Sequence, residues 1–147
     1  MKDARVILDA RNASRTAAGV VCTGLVLRID AKDFPERGWT DFSVAVLSSF
    51  VDAVVSLLQE RPRVSVRFME GPFRIDLTRE SNEAWRIVVV ETGERETILN
   101  DSVIDARALM ASLVEAAEEA LLLCRMREWW SSDAESLRDG LSRLRVS

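Results

Sequence analysis

The 147-residue chain contains no histidine and no tyrosine, and it has only two cysteines, two lysines and three prolines. Each shortage excludes some chemistry. Without histidine there can be no Ser-His-Asp triad, no Cys-His dyad and no His-ligated metal within the chain. Cys22 and Cys124 stand far apart, each in an apolar run where a free thiol behaves as a small buried hydrophobe. No disulfide framework is indicated, which fits a reducing cytoplasm. The Gly71-Pro72 turn has one glycine and no Gly-Lys-Ser/Thr after it, so it is not a phosphate-cradling loop. Long apolar runs are also missing. Ala17 to Leu27 is interrupted by Thr23 and Gly24, and a bilayer span needs about 20 apolar residues. The opening Met1-Lys2-Asp3-Ala4-Arg5 lacks the apolar core and cleavage site of a signal peptide.

What remains is the composition of a soluble globular protein, 48% apolar and 30% charged. A chain of this length buries about 68–70% of its unfolded surface on folding, enough for one domain without a metal or disulfide staple. No repeat, linker or low-complexity tract divides it, so residues 1–147 read as a single domain. The formal charge of −4 argues against wrapping nucleic acid. Eighteen of the twenty basic residues are arginine, whose planar fork pairs with carboxylates bidentately and suits a contact surface.

Hydrophobic periodicity predicts an α+β fold. Two strands are expected around Arg5–Ala10 and Gly19–Asp30, followed by a connector from Ala31 to Thr40. A helix from about Asp41 to Glu60 is apolar around most of its girth, with Thr40 or Asp41 placed to cap it and Pro62 to end it. Clear period-two alternation then marks strands at Arg63–Phe68, Phe73–Thr78 and Trp85–Val89, with a short fourth at Glu96–Leu99. Ile104 to about Trp129 reads as a second helix. Ser132 and Glu135 match a capping box opening a third, with Leu137, Leu141 and Leu144 on one face. The expected architecture is an antiparallel sheet of five or six strands in a meander, with a long buried helix and C-terminal helices packed on one face.

Three features carry candidate chemistry. Phe34-Pro35-Glu36-Arg37-Gly38-Trp39-Thr40-Asp41-Phe42 is either a turn that staples the helix entry to the core or a recognition loop. Arg63, Arg67, Arg74 and Arg86 should project from the sheet face opposite the core, a cluster fit for carboxylates or phosphates unless Asp30, Asp76 and Glu83 neutralise it. An RNA-reading sheet would instead carry stacking aromatics on that face, and here they point inward. Trp129 and Trp130 end the second helix, where adjacent residues face different ways, so one ring is expected to be exposed. Glu115, Glu118 and Glu119 form a charged helix face. No spacing singles out a catalytic carboxylate pair, and no cofactor or metal is expected.

Phe34, Pro35, Trp39, Asp41 and Phe42 fill an FP-x3-W-x-DF box, and Phe68, Met69, Gly71 and Pro72 fill an F-M-x-G-P hairpin. In these two boxes the chain resembles small bacterial proteins similar to the immunity proteins of polymorphic toxin systems, which neutralise a toxin by binding it. Phe73 stands where that pattern carries tyrosine. The resemblance, which extends loosely over residues 20–145, implies a non-enzymatic module with a protein partner, a toxin or an effector. A secretion-type chaperone and a carboxylate-based small-ligand protein are the alternatives. Arg67, Arg74, Arg86 and Trp130 are the candidate partner-binding residues, with neither nucleic acid nor membrane as partner and the oligomeric state open.

Overall fold

In the computed structural model, which describes residues 1–147, β1 (Ala4–Arg15) folds back antiparallel on β2 (Val21–Ile29). The other edge of β2 takes two short strands from the connector, β3 (Lys32–Phe34) and β4 (Thr40–Asp41). Helix α1 (Ser43–Gln59) leads to a second sheet of β5 (Arg63–Arg67), β6 (Phe73–Arg79), β7 (Ala84–Glu91) and β8 (Thr97–Asp105), paired in chain order. Helices α2 (Ala106–Met126) and α3 (Ser132–Arg145) complete the chain.

The α+β class and the antiparallel β5–β8 meander are as expected, but one sheet of five or six strands is replaced by two sheets of four. The reason lies where they meet. The Lys2 N–H donates to the Val103 carbonyl at 2.9 Å and the Asp105 N–H to the Lys2 carbonyl at 3.0 Å, a single parallel bridge that begins to join the sheets. It goes no further because β8 stops at Asp105, whose carboxylate accepts the Arg107 and Ala108 N–H groups and caps α2. Helix α2 then lies beside β1. The Ser112 hydroxyl accepts the Val6 N–H at 2.9 Å and donates to the Leu109 carbonyl at 2.8 Å, so a helix takes the place of a neighbouring strand.

Several boundaries move for related reasons. Strand β8 spans nine residues instead of four, because Ser102 and Ile104 are buried while Asp101 and Val103 are exposed, a period of two carried to the helix start. Helix α2 closes at Met126, since Glu128 adopts a left-handed backbone (φ 57°) and the Trp129 N–H returns to the Cys124 carbonyl at 2.8 Å. The cap of α3 is Ser131, one residue before the expected position, and its hydroxyl accepts the Ala134 N–H.

The core is a continuous cluster of 37 buried residues drawn from both sheets and all three helices. Trp85, Ile87 and Val89 on β7 and Leu47, Val51 and Val54 on α1 are fully enclosed, each large aliphatic or aromatic side chain contributing about 1.5–3 kcal/mol by leaving water. Leu137, Leu141 and Leu144 bury as the α3 stripe. Helices α1 and α2 pack against the inner faces, whereas α3, expected on the sheet as well, packs on α1 and α2 instead. The outer face of β5–β8 has no helix over it, and Ile98 and Val103 lie open there.

Replacing Ser112 by alanine would leave the buried Val6 N–H without an acceptor, which should cost about 1–3 kcal/mol. Urea unfolding should show a lower midpoint with an unchanged slope. A shift equivalent to less than about 0.5 kcal/mol would show that the hydroxyl does not hold the β1 edge.

Candidate functional site

The two motif boxes meet in space. The Asp41 carboxylate, 1% exposed, accepts the Trp39 indole N–H at 2.9 Å and the Phe42 N–H at 2.7 Å. From the hairpin it accepts the Met69 N–H at 3.1 Å and the Glu70 N–H at 3.3 Å. Contrary to the expected capping of α1 by Thr40 or Asp41, neither side chain caps the helix. Phe42 holds the cap position without a side-chain bond, and the carboxylate serves four donors across two elements instead. Trp39 packs edge-on against Phe73, with ring centroids 5.4 Å apart. Gly71 is required beneath it, because a Cβ there would sit 2.8 Å from the indole. Gly38 turns the chain into this knot at a φ of +74°. Of the two readings of the connector, stapling accounts for Trp39 and Asp41.

With the boxes committed to packing, the outer face of β5–β8 becomes the open surface. Register sets its rows: Arg63, Thr78, Arg86 and Val103 in one, Ser65, Asp76, Val88 and Asp101 in the next, Arg67, Arg74, Val90 and Ile98 in the third. Arg67 and Arg74 are therefore direct cross-strand neighbours, and Arg86 lies on the same face at the other end. Arg74 pairs with Asp76 at 2.9 Å and Glu96 at 2.7 Å, and Arg86 with Asp101 at 2.6 Å. The Arg86 guanidinium holds the Asp101 carboxyl below the usual carboxylate range. Hydrogen bonding to Asp76, and then to Glu96, pushes the Arg74 pKa further up. Asp30 and Glu83 do not take part. Asp30 accepts the Asp3 amide and Glu83 pairs with Arg107. Arg63 and Arg67 have no carboxylate within 4.0 Å and are exposed. Two apolar members of this face stand open, Ile98 at 62% and Val103 at 45% exposed; Val103 lies in the part of β8 beyond the expected end at Leu99.

Trp130 is not part of this cluster. It sits half-buried at the α2–α3 corner, with the Arg125 and Arg138 guanidinium groups 5.2 and 5.8 Å from its ring centre. Trp129 is also half-buried, under Arg127 at 5.2 Å. Neither ring is exposed in the expected way, because both residues lie in the turn beyond the helix, where adjacent side chains can share one side.

Other groups are held in place by their neighbours. On the outer face of the first sheet a cavity of about 350 Å³ is lined by Asp9, Arg11, Arg28, Asp33, Arg37 and Trp39; four of its charges pair internally, Arg11 with Asp9 and Arg28 with Asp33, and Arg37 makes no ion pair. Hydrogen bonding to Arg11 brings the Asp9 carboxyl down to about 2. The resolved carboxyl shifts, at Asp9 and Asp101, both run downward, opposite to what a general acid needs. Burial pushes both thiols up, with Glu70 and Asp41 adding to the effect at Cys22, which disfavours the nucleophilic thiolate. Glu118 pairs with Arg145 at 2.8 Å. No helix is long and apolar enough to cross a membrane. No family model, curated protein or solved structure matches the chain.

Asp41→Asn turns an amide N–H₂ toward N–H donors and removes charge-assisted bonds worth about 1.5–3 kcal/mol each. The expected loss is about 2–3 kcal/mol of unfolding free energy, with Trp39 fluorescence altered in the folded state. Stability within about 0.5 kcal/mol of the parent would mean that the carboxylate does not tie the boxes together.

Proposed function

We propose that this chain is a non-enzymatic protein-binding module that acts in the cytoplasm by covering part of a partner, in the manner of the immunity proteins its two boxes resemble. The partner on this reading is a bacterial toxin or effector. The observation that carries it is the helix-free outer face of β5–β8, which displays Ile98 and Val103 beside arginines. Exposed apolar groups ringed by arginine are the usual material of interface anchors. Arg74 and Arg86, already fixed by their carboxylates, are pre-ordered contacts, while Arg67 offers an uncommitted guanidinium. Downward carboxyl shifts and raised thiols add support by supplying no poised acid or nucleophile. Trp130, under its two arginines, is secondary to the sheet face.

The test is a photo-crosslinking amino acid at Val103, with the same group at Leu122 on α2, which is 53% exposed, as control. In the native host, Val103 should give one dominant protein adduct and Leu122 none. The adducted protein should be toxic when expressed alone and tolerated with this chain. Reversing Arg67 and Arg86 to glutamate should weaken the complex by about tenfold or more. Equal labelling from both positions, or none from Val103, would overturn the assignment of the face.

A further inference from the structure

The hydrogen-bond parity of the second sheet shows which backbone groups face its open edge. The Phe68 N–H donates to the Phe73 carbonyl at 3.1 Å and the Arg79 N–H to the Pro62 carbonyl at 3.0 Å. With the β5–β6 register running from Arg63 opposite Thr78 to Arg67 opposite Arg74, antiparallel alternation makes Val64–Leu77 and Val66–Ile75 the bonded pairs between them. The N–H and C=O groups of Arg63, Ser65 and Arg67 therefore point away from β6. No strand lies beyond β5, and all three residues are exposed. The edge thus presents three donors and three acceptors in register, with two arginines that have no carboxylate partner.

We propose that the β5 edge accepts an extended acidic segment of a partner protein as a fifth antiparallel strand of this sheet. This rests on the reading that the β5–β8 sheet is the protein-binding surface, and it specifies how the partner's backbone enters. Residues directly opposite one another in an antiparallel pair share a face. The segment must then place acidic residues four apart against Arg63 and Arg67, with a small polar residue against Ser65. The side chain of Ser65 already donates to Asp76 at 2.6 Å, so a bulky group there would meet that pair. A second copy of this chain is the wrong occupant. Antiparallel self-pairing about Ser65 sets Arg63 against the other copy's Arg67, and like charges directly opposite destabilise a pair. The same arginines that block self-association select a carboxylate-bearing strand.

The probe is a fluorescein-labelled heptapeptide, Val-Glu-Val-Thr-Val-Glu-Val, titrated by anisotropy into the full-length chain. It should bind, and its lysine counterpart should not. Methylating the two glutamate backbone nitrogens should abolish binding, because those N–H groups face β5, whereas methylating the outer valine nitrogens should leave it intact. The surface double variant Arg63→Glu with Arg67→Glu should bind the glutamate peptide about tenfold or more weakly and gain affinity for the lysine peptide. No anisotropy change up to about 1 mM peptide would overturn the proposal, as would equal binding of the two charge forms or indifference to glutamate N-methylation. A Val103 adduct without peptide binding would leave the sheet-face reading standing and remove the edge. Peptide binding without that adduct would do the reverse.

Discussion

The Asp41 carboxylate is the interaction on which the arrangement of the two sheets depends. A buried carboxylate costs several kcal/mol unless donors replace its water, and here four N–H groups do so. Two of them belong to the connector that edges the first sheet and two to the hairpin that opens the second. The ion is therefore satisfied only when β4 and the β5–β6 hairpin are in register with each other. That requirement also positions α1, which starts two residues later, and it seats Trp39 on Gly71 and Phe73. Phe34, Trp39, Asp41, Phe68 and Gly71 of the two boxes are thus explained by packing. In this chain Trp39, Asp41 and Gly71 hold the frame, which leaves other surfaces free for the contact proposed above.

The sheet edges differ in how far they are covered. Ser112 takes one amide of the β1 edge, the connector strands cover β2, and Lys2 bridges only the last residues of β8. The edge of β5 stays unpaired beside a face that no helix covers. Edge strands are commonly protected by charge; two arginines without local carboxylates provide that protection here, and under the proposal above they would favour an anionic strand. The sheet face and the edge are contiguous, so a partner seated on one can extend onto the other.

Much of this was legible in the sequence wherever one residue pattern answered to one physical demand. Alternation in Val64, Val66, Ile75, Leu77, Trp85, Ile87 and Val89 reported a half-buried sheet, and all seven are buried. The leucine stripe of α3 and the apolar girth of α1 read equally well, although Ser48, expected on the polar stripe, is buried with its neighbours. What escaped depended on long-range pairing. Nothing local distinguishes a connector from two short strands until β2 presents an edge to it. The end of β8 was hidden because Ile104 also fits the apolar face of the following helix. At the candidate site the outward direction of Arg67, Arg74 and Arg86 followed from parity. Of their partners Asp76 was legible too, whereas Glu96, just before β8, and Asp101, within it, depend on a register the sequence leaves open. The tryptophan pair was misplaced because a helix was continued through Glu128, where the backbone turns left-handed.

The most direct test of the central role of Asp41 is amide hydrogen exchange at Met69 and Glu70. Both side chains are exposed at a hairpin tip, Met69 at 58%, and such amides ordinarily exchange fast. Held by a buried carboxylate, they should exchange as slowly as the central β7 amides, through global opening, and lose that protection in Asp41→Asn. Exchange as fast as at the unbonded Gly93 turn would contradict the account, because the hairpin would then stand without the ion.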